Sequence, residues 1–125
     1  MNPIIIIPAY NPPNSFYKLL KIIHYITSVP ILIVDDGSKP VLTVTNENIT
    51  LLRLDKNRGK GYSLIKAFHY AYERGYSHAI SIDADSQHDP KFLCEFLEIN
   101  EDITLVLGKR TFNKDMPLYR RLSNK

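Results

Sequence analysis

The sequence predicts an α/β domain built on a mainly parallel sheet with helices on both faces. Two observations predict this fold class. Short β-rich runs alternate with helical patterns along the chain, and several of these runs are apolar on both faces, as in a covered parallel sheet. The 125 residues, 44% of them hydrophobic, are enough to bury the core of one domain. Because such sheets bind ligands beyond the carboxyl ends of their strands, the residues that follow each strand are candidates for function.

Five short runs are predicted to be strands, and one further run could add a sixth. In chain order they are Ile4–Pro8, Ile31–Asp35, Ile49–Leu54, Ala79–Asp83 and Ile103–Leu107, with Val41–Val44 as the additional candidate.

Three helices are predicted from apolar residues at helical spacing. The first has its apolar face at Phe16, Leu19, Leu20, Ile23 and Ile26, after a cap at Asn14 or Ser15. The second has its apolar face at Gly61, Leu64, Ile65, Phe68, Ala71 and Tyr72, before a stop at Gly75. The third begins at Asp89-Pro90 and continues through Phe92, Leu93, Phe96 and Leu97.

Composition and charge give no sign of a membrane-spanning, secreted or nucleic-acid-binding protein. The apolar run Ile4–Ile7 is closed by Pro8, far short of a membrane span, and no secretion signal precedes it, so we expect a cytoplasmic chain. The lone Cys94 is expected to be a core residue. Residues 109–125 hold six basic residues against Asp115. This tail is either a solvated terminus or a contact for phosphates or anionic lipid, and no motif supports nucleic-acid binding.

Polar residues follow the first two predicted strands. Tyr10, after the first strand, could offer a flat face and a hydroxyl group to a nucleotide base. Asp35 and Asp36 follow the second strand, where a carboxylate could accept hydrogen bonds from a base or from ribose hydroxyls. The alternative for this segment is an ordinary acidic turn capped by Ser38.

The segment at 83–90, after the fourth strand, is the most informative. Asp83 and Asp85 stand two residues apart, so in extended chain their carboxylates point to the same side, ~7 Å apart. Their repulsion, roughly 2 kcal/mol, would be reversed by a divalent cation. Mg²⁺ or Mn²⁺ fits, since these ions bind through one or two carboxylates plus substrate phosphates. His88 is a structural histidine or a ligand, and Asp89 is the helix cap.

Two other metal-binding or phosphate-binding motifs do not match the sequence. A calcium loop that started at Asp83 would need glycine and glutamate where His88 and Cys94 stand. A P-loop around Lys60 would need glycine where Leu54 stands, and serine or threonine after the lysine. The basic turn at 57–61 is therefore either a phosphate-facing turn that includes Lys60, or a helix start that happens to be basic.

Five segments, in this order, carry a resemblance to a known family: Ile-Ile-Pro-Ala-Tyr-Asn at 6–11, Val-Asp-Asp-Gly-Ser at 34–38, Asn-Arg-Gly-Lys-Gly at 57–61, Asp-Ala-Asp-Ser-Gln-His-Asp-Pro at 83–90 and Leu-Gly-Lys-Arg at 107–110. Together they resemble glycosyltransferase family 2, especially the branch of dolichyl-phosphate mannosyltransferase and the bacterial polyprenyl-phosphate glycosyltransferases.

The resemblance implies a GT-A type fold and an inverting transfer from a UDP- or GDP-sugar, with Mg²⁺ or Mn²⁺ as cofactor. It also implies a set of contacts with the donor. Pro8, Ala9 and Tyr10 would frame the base, Asp36 would hold base or ribose, Asp83 and Ala84 would lie along the nucleotide, Asp85 of the DxD motif would bind the metal, Gln87 would sit near the diphosphate or sugar, and Arg110 would approach the phosphates. Lys60 is added to this site from the phosphate-facing interpretation of the turn at 57–61.

The resemblance also divides the chain. Residues 1–108 would be the nucleotide-sugar-binding domain, and residues 109–125 would lead to an acceptor-binding part that a truncated chain lacks. Position 12 is proline where the lipid-phosphate branch commonly has an acid, and position 109 is lysine where serine is usual. No general base is identifiable. The implied acceptor is a polyprenyl phosphate or a saccharide, and the basic tail would hold the protein peripherally at the inner face of the membrane.

Two other classes of function stay open. A non-catalytic nucleotide-sugar-binding module, or an inactive fragment, would bind the donor without transferring the sugar. A receiver-like phosphoacceptor domain is suggested by Asp35, Asp36, Asp83 and Lys109 at strand ends. In a receiver the acidic pair ends the first strand, whereas here a whole βα unit precedes it.

Overall fold

A parallel sheet with helices on both faces forms the described part of the chain. The computed structural model describes residues 2–84 and 93–98. In chain order the elements are β1 (Pro3–Ala9), α1 (Ser15–Ile26), β2 (Ile31–Asp35), β3 (Ile49–Arg53), α2 (Lys60–Glu73), β4 (His78–Ser81) and α3 (Leu93–Leu97). The strands lie in the order β3-β2-β1-β4, and all neighbours are parallel. The predicted α/β class is confirmed.

The isoleucine run of β1 is a consequence of burial on both sides of the sheet. Ile5 and Ile7 pack in a cluster with α1, whereas Ile4 and Ile6 pack in a cluster with α2. All four are at most 2% exposed. A strand with one solvated face would need polar residues at alternate positions, so the unbroken run requires a helix on each face.

Helix α1 packs as its spacing predicts. Phe16, Leu19, Leu20 and Ile23 are buried against the sheet. The helix begins after Asn14, but the Asn14 side chain makes no capping hydrogen bond. Its backbone is already helical, with φ −58° and ψ −26°, whereas a capping side chain requires an extended backbone at that position.

Helix α2 turns only part of its predicted face to the sheet: Ala71 is buried and Leu64 packs against the core cluster, as predicted. Ile65, Phe68 and Tyr72 are 58%, 48% and 84% exposed, so their prediction as a core-facing set is wrong. The fully buried positions are Ser63, Ala67 and Ala71, at a spacing of four residues. Small side chains let the helix approach the sheet closely, and the large residues are left outside. The predicted stop is confirmed, since Gly75 has φ +79° just after the helix.

Several smaller predictions are corrected or lie outside the described residues. Val41–Val44 is a loop, not a strand, because the Leu42 N–H donates to the Asp35 carboxylate (3.3 Å) instead of to a neighbouring strand. Cys94 is exposed, so its prediction as a core residue is wrong. Ile103–Leu107 and the start of the third helix lie outside the described residues. Among the residues described, no helix combines the length and apolarity needed to cross a membrane.

The sheet opens between β1 and β4 at their carboxyl ends. Pairing of β1 with β4 stops at Ile6 and Ser81, although β4 was predicted to reach Asp83. The Ile6 carbonyl accepts from the Ile82 N–H (2.9 Å), so alternate residues of β1 direct their backbone polar groups toward β4. Pro8 is the next of these and has no N–H to donate. The gap falls where the strand order reverses, the position at which parallel sheets bind ligands.

Replacement of Phe16 by alanine tests the packing of α1 on the sheet. Phe16 is 0% exposed, so Phe16→Ala should lower the free energy of unfolding by about 3–5 kcal/mol, through lost transfer energy and a cavity. Urea unfolding gives the value. Tyr25→Ala is the control on the same helix, because Tyr25 is 93% exposed and should change stability by no more than about 0.5 kcal/mol. Equal losses would contradict the described face of α1.

Candidate functional site

The end of β1 presents one exposed aromatic side chain. Tyr10 follows the strand directly and is 53% exposed, whereas Pro8 and Ala9 before it are buried. Tyr10 can therefore contact a ligand with its ring. Pro8 and Ala9 lie beneath it, and their predicted contact with a base stays a prediction.

Asp35, the last residue of β2, organises the loop that follows it. It is 0% exposed. Its Oδ1 accepts from the Ser38 N–H (2.9 Å), and its Oδ2 accepts from the Leu42 N–H (3.3 Å) and from Arg53 Nη1 (2.8 Å). Arg53 Nη2 also donates to the Ser38 carbonyl (3.3 Å). The arginine charge and the two amides compensate the buried carboxylate, so its role in this structure is to fix the loop.

Asp36 fixes a second loop in the same way. It is 4% exposed. Its Oδ1 accepts from the Arg58 N–H (2.6 Å), and its Oδ2 accepts from the Gly59 N–H (2.9 Å) and from Asn57 Nδ2 (3.0 Å). These bonds tie the end of β2 to the turn that opens α2. The predicted contact of Asp36 with base or ribose stays a prediction beside this structural role.

Asn11 joins the loop after β1 to the loop after β2. Its N–H donates to Ser38 Oγ (2.8 Å), and its Oδ1 accepts from the Lys39 N–H (2.8 Å). Asn11 has a positive φ of 44°, a conformation that asparagine tolerates better than most residues. Tyr10, beside it, is thereby held on a braced loop.

Lys60 and Asp83 form an ion pair beyond the carboxyl ends of the strands. Lys60 is the first residue of α2, and its Nζ donates to Asp83 Oδ1. Their side chains are 58% and 22% exposed, so both reach solvent at this edge. Ala84, next to Asp83, is 8% exposed and belongs to the core cluster under α1. The structure therefore brings together two of the predicted site residues from distant parts of the chain.

The first turn of α2 beside Lys60 lacks a side-chain cap. Gly59 occupies the cap position with φ 97° and offers no acceptor. The first N–H groups of a helix need external partners, and phosphate oxygens are suitable ones. With the Lys60 ammonium group, this turn has the chemistry of an anion contact.

The remaining predicted site residues, Asp85, Gln87 and Arg110, lie outside the described residues, as does Lys109. Within residues 2–84 and 93–98, no three His, Cys, Asp or Glu side chains are grouped to hold a metal ion. Asp35 and Asp36 have their oxygens turned inward to loop amides. The predicted metal ligand, Asp85, stays a prediction.

The sequence named Ser38 only in the alternative of an acidic turn, and it assigned no structural role to Asn11, Arg53 or Asn57. In the structure these four residues satisfy or extend the hydrogen bonds of the two buried carboxylates. Two adjacent acids at the end of a fully apolar strand were a usable signal, since buried carboxylates require nearby donors.

Comparison with known proteins identifies a family that matches nearly the whole chain. Residues 4–125 match the family model described as Glycosyl transferase family 2. No solved structure matches the chain significantly.

Curated relatives cover nearly all of the chain. An uncharacterized protein of Methanocaldococcus jannaschii is 35% identical over 97% of this chain and 57% of its own length. The UDP-N-acetylglucosamine–dolichyl-phosphate N-acetylglucosaminyltransferase of Methanococcus voltae is 28% identical over 96% and 58%. The polyprenol monophosphomannose synthase of Mycolicibacterium smegmatis is 28% identical over 86% and 44%. The chain thus spans about half the length of these relatives.

Gly37→Ala tests the close approach of the loop after β2 to the turn before α2. Gly37 has φ +80°, and an added Cβ would lie 2.6 Å from the Asn57 backbone nitrogen and 2.8 Å from the Lys56 carbonyl carbon. Strain and clash together should lower the free energy of unfolding by about 2 kcal/mol or more, measured by urea titration.

Gly61→Ala is the control for this substitution. An added Cβ at Gly61 meets nothing within 4 Å, and the residue lies in α2. Alanine there should be neutral or should stabilise the protein by up to about 1 kcal/mol. If Gly37→Ala were as stable as Gly61→Ala, the close approach of the two loops would be wrong.

Proposed function

This chain belongs to glycosyl transferase family 2, and from that premise we propose that it binds the nucleotide-sugar donor of a polyprenyl-phosphate glycosyltransferase. The names of the relatives from Methanococcus voltae and Mycolicibacterium smegmatis support the lipid-phosphate acceptor. The observation that carries the proposal is the ion pair of Lys60 with Asp83 beyond the carboxyl ends of the strands, where the exposed Tyr10 also follows β1.

The base and the diphosphate of the donor have different partners in this proposal. The ring of Tyr10, 53% exposed, offers a stacking surface to the base. Lys60 and the first N–H groups of α2 offer positive charge and donors to the phosphates. Arg110 adds a second cation from the following segment. A UDP- or GDP-sugar presents these two chemistries, an aromatic base and a charged diphosphate.

The ion pair of Lys60 with Asp83 keeps the cation at the site before a donor binds. Asp83 is half-buried and would be costly to leave without a countercharge. In the complex the ammonium group can contact a phosphate oxygen while Asp83 still orients it. Asp83 then lies along the nucleotide, as the family resemblance implies.

A divalent cation, Mg²⁺ or Mn²⁺, would neutralise charge on the departing nucleoside diphosphate. Asp85 is the residue that would hold it. The fit rests on the chemistry of the donors, because Asp83 and Asp85 are two carboxylates separated by one residue in the sequence, and Mg²⁺ and Mn²⁺ prefer carboxylate oxygens. Asp83 already lies there, paired with Lys60.

The acceptor would be a phosphate that attacks the anomeric carbon from the side opposite the leaving group, which inverts that centre. A phosphate is ionised at neutral pH, so the attack needs no strong general base. The proposed location follows from this acceptor: the cytoplasmic face of a membrane, with the basic segment 109–125 near its surface.

Calorimetric titration of UDP and of GDP, each with Mn²⁺ and with EDTA, tests the donor site. We expect one nucleotide to bind in a metal-dependent manner. Asp85→Asn should abolish the metal dependence, and Lys60→Met should weaken binding about tenfold, the loss typical of one charged hydrogen bond.

Lys66→Met is the matched control, since Lys66 is an exposed lysine on the same helix, about 1.7 turns further on. It should bind like the wild type. If the folded chain bound neither nucleotide, or if Lys66→Met lost as much affinity as Lys60→Met, the proposed donor site would be refuted.

A further inference from the structure

The side of α1 that faces away from the sheet carries lysines and tyrosines. We define the α1 outer face as Tyr17, Lys18, Lys21, Ile22 and Tyr25. All five are exposed, and Tyr25 is 93% exposed. They lie opposite the buried face of the helix, so this side is available for contact.

The lysines of the α1 outer face form no ion pair with another described residue. No aspartate or glutamate occurs in residues 1–34, and the first acid is Asp35, which is buried. Within the described residues the salt bridges are Arg53–Asp35, Arg58–Asp55 and Lys60–Asp83, so Lys18 and Lys21 have no carboxylate partner there. Among residues 2–84 and 93–98, the face therefore presents two lysines that are not paired with a carboxylate.

We propose that the α1 outer face docks the protein on an anionic lipid surface. Tyrosine is favoured at the depth of lipid headgroups, where its ring is buried and its hydroxyl group is hydrated. Lysine can lay its methylene groups on apolar chains while the ammonium group contacts a lipid phosphate. A shallow groove of about 410 Å³, lined by Asn14, Ser15, Tyr17, Lys18 and Lys21, can accept a headgroup.

Charge argues against a second copy as the occupant. A two-fold contact through the α1 outer face would bring Lys18 and Lys21 near the same residues of the copy, with no acid between them. Like charges that approach without a partner are destabilising. An anionic bilayer supplies the opposite charge over a flat area.

The exposed apolar residues of α2 do not compete for the same surface. Ile65, Phe68 and Tyr72 lie on the helix that covers the other face of the sheet, so one flat bilayer cannot contact both helices. Glu73 also adds a negative charge to α2, whereas α1 has none.

Docking through α1 goes beyond the proposed donor site and requires no donor. It would nevertheless place that site near the membrane. Helix α1 follows β1, so its first turn, with Tyr17 and Lys18, begins at the carboxyl edge where Tyr10 stands. Lipid binding and nucleotide binding are separate measurements, and the failure of one does not imply the failure of the other.

Co-sedimentation with vesicles tests the charge. The full chain should bind phosphatidylglycerol-containing vesicles and should not bind pure phosphatidylcholine vesicles. Lys18→Gln with Lys21→Gln should lower the partition coefficient roughly tenfold or more. The control, Lys56→Gln with Lys66→Gln, removes the same charge from exposed positions elsewhere and should lose much less.

A tryptophan reporter tests the orientation, because the chain has no tryptophan of its own. Tyr25→Trp should shift its fluorescence emission to shorter wavelength when anionic vesicles are added. Tyr72→Trp, at an 84% exposed position on α2, should show no shift.

Three results would overturn the proposal. The first is a wild-type chain that binds neither kind of vesicle, which would leave an acidic protein as the partner to seek. The second is equal binding by the α1 double variant and the control, which would assign the binding to segment 109–125. The third is an emission shift at position 72 with none at position 25.

Discussion

Asp35 and Asp36 put two carboxylates into the protein interior at the end of β2, and the loops of the candidate site are arranged to satisfy them. A buried carboxylate without partners costs on the order of several kcal/mol. Asp35 draws Arg53 and the 38–42 loop inward, and Asp36 draws in the turn at 57–59. A change in either loop would break hydrogen bonds to a buried carboxylate. The loops at the carboxyl edge of the sheet are therefore held in one conformation.

The loops fixed by Asp35 and Asp36 hold the accessible residues Tyr10 and Lys60 in position. Asn11 links the loop of Tyr10 to Ser38, and Asp36 fixes the turn from which Lys60 projects toward Asp83. Pro8 ends the pairing of β1 with β4 beneath them. The buried acids thus hold the groups in place, and the exposed tyrosine, lysine and aspartate are the groups that can meet a ligand. Because these groups are already held in place, less conformational entropy of the loops is lost when a donor binds.

The sequence predicted the fold where its pattern was unambiguous. The four isoleucines of β1 admit only a doubly covered strand, and Tyr10, Asp36 and Asp83 do follow the carboxyl ends of parallel strands. The face of α2 was mispredicted in part: Leu64 and Ala71 were expected in the core, but close packing on the sheet selected Ser63 and Ala67 instead of the larger Ile65, Phe68 and Tyr72. The loop roles of Asp36 and Asn57 depend on contacts 21 residues apart, which no local pattern encodes.

Backbone amide chemical shifts on titration with UDP or GDP and Mg²⁺ test the central claim directly, since a 14.4 kDa chain suits two-dimensional NMR. The account predicts that the largest changes occur at Tyr10, Gly61 and Asp83, around the opening between β1 and β4. Changes concentrated at the opposite edge of the sheet, at Ser28, Asn48 and Ser77, would contradict it.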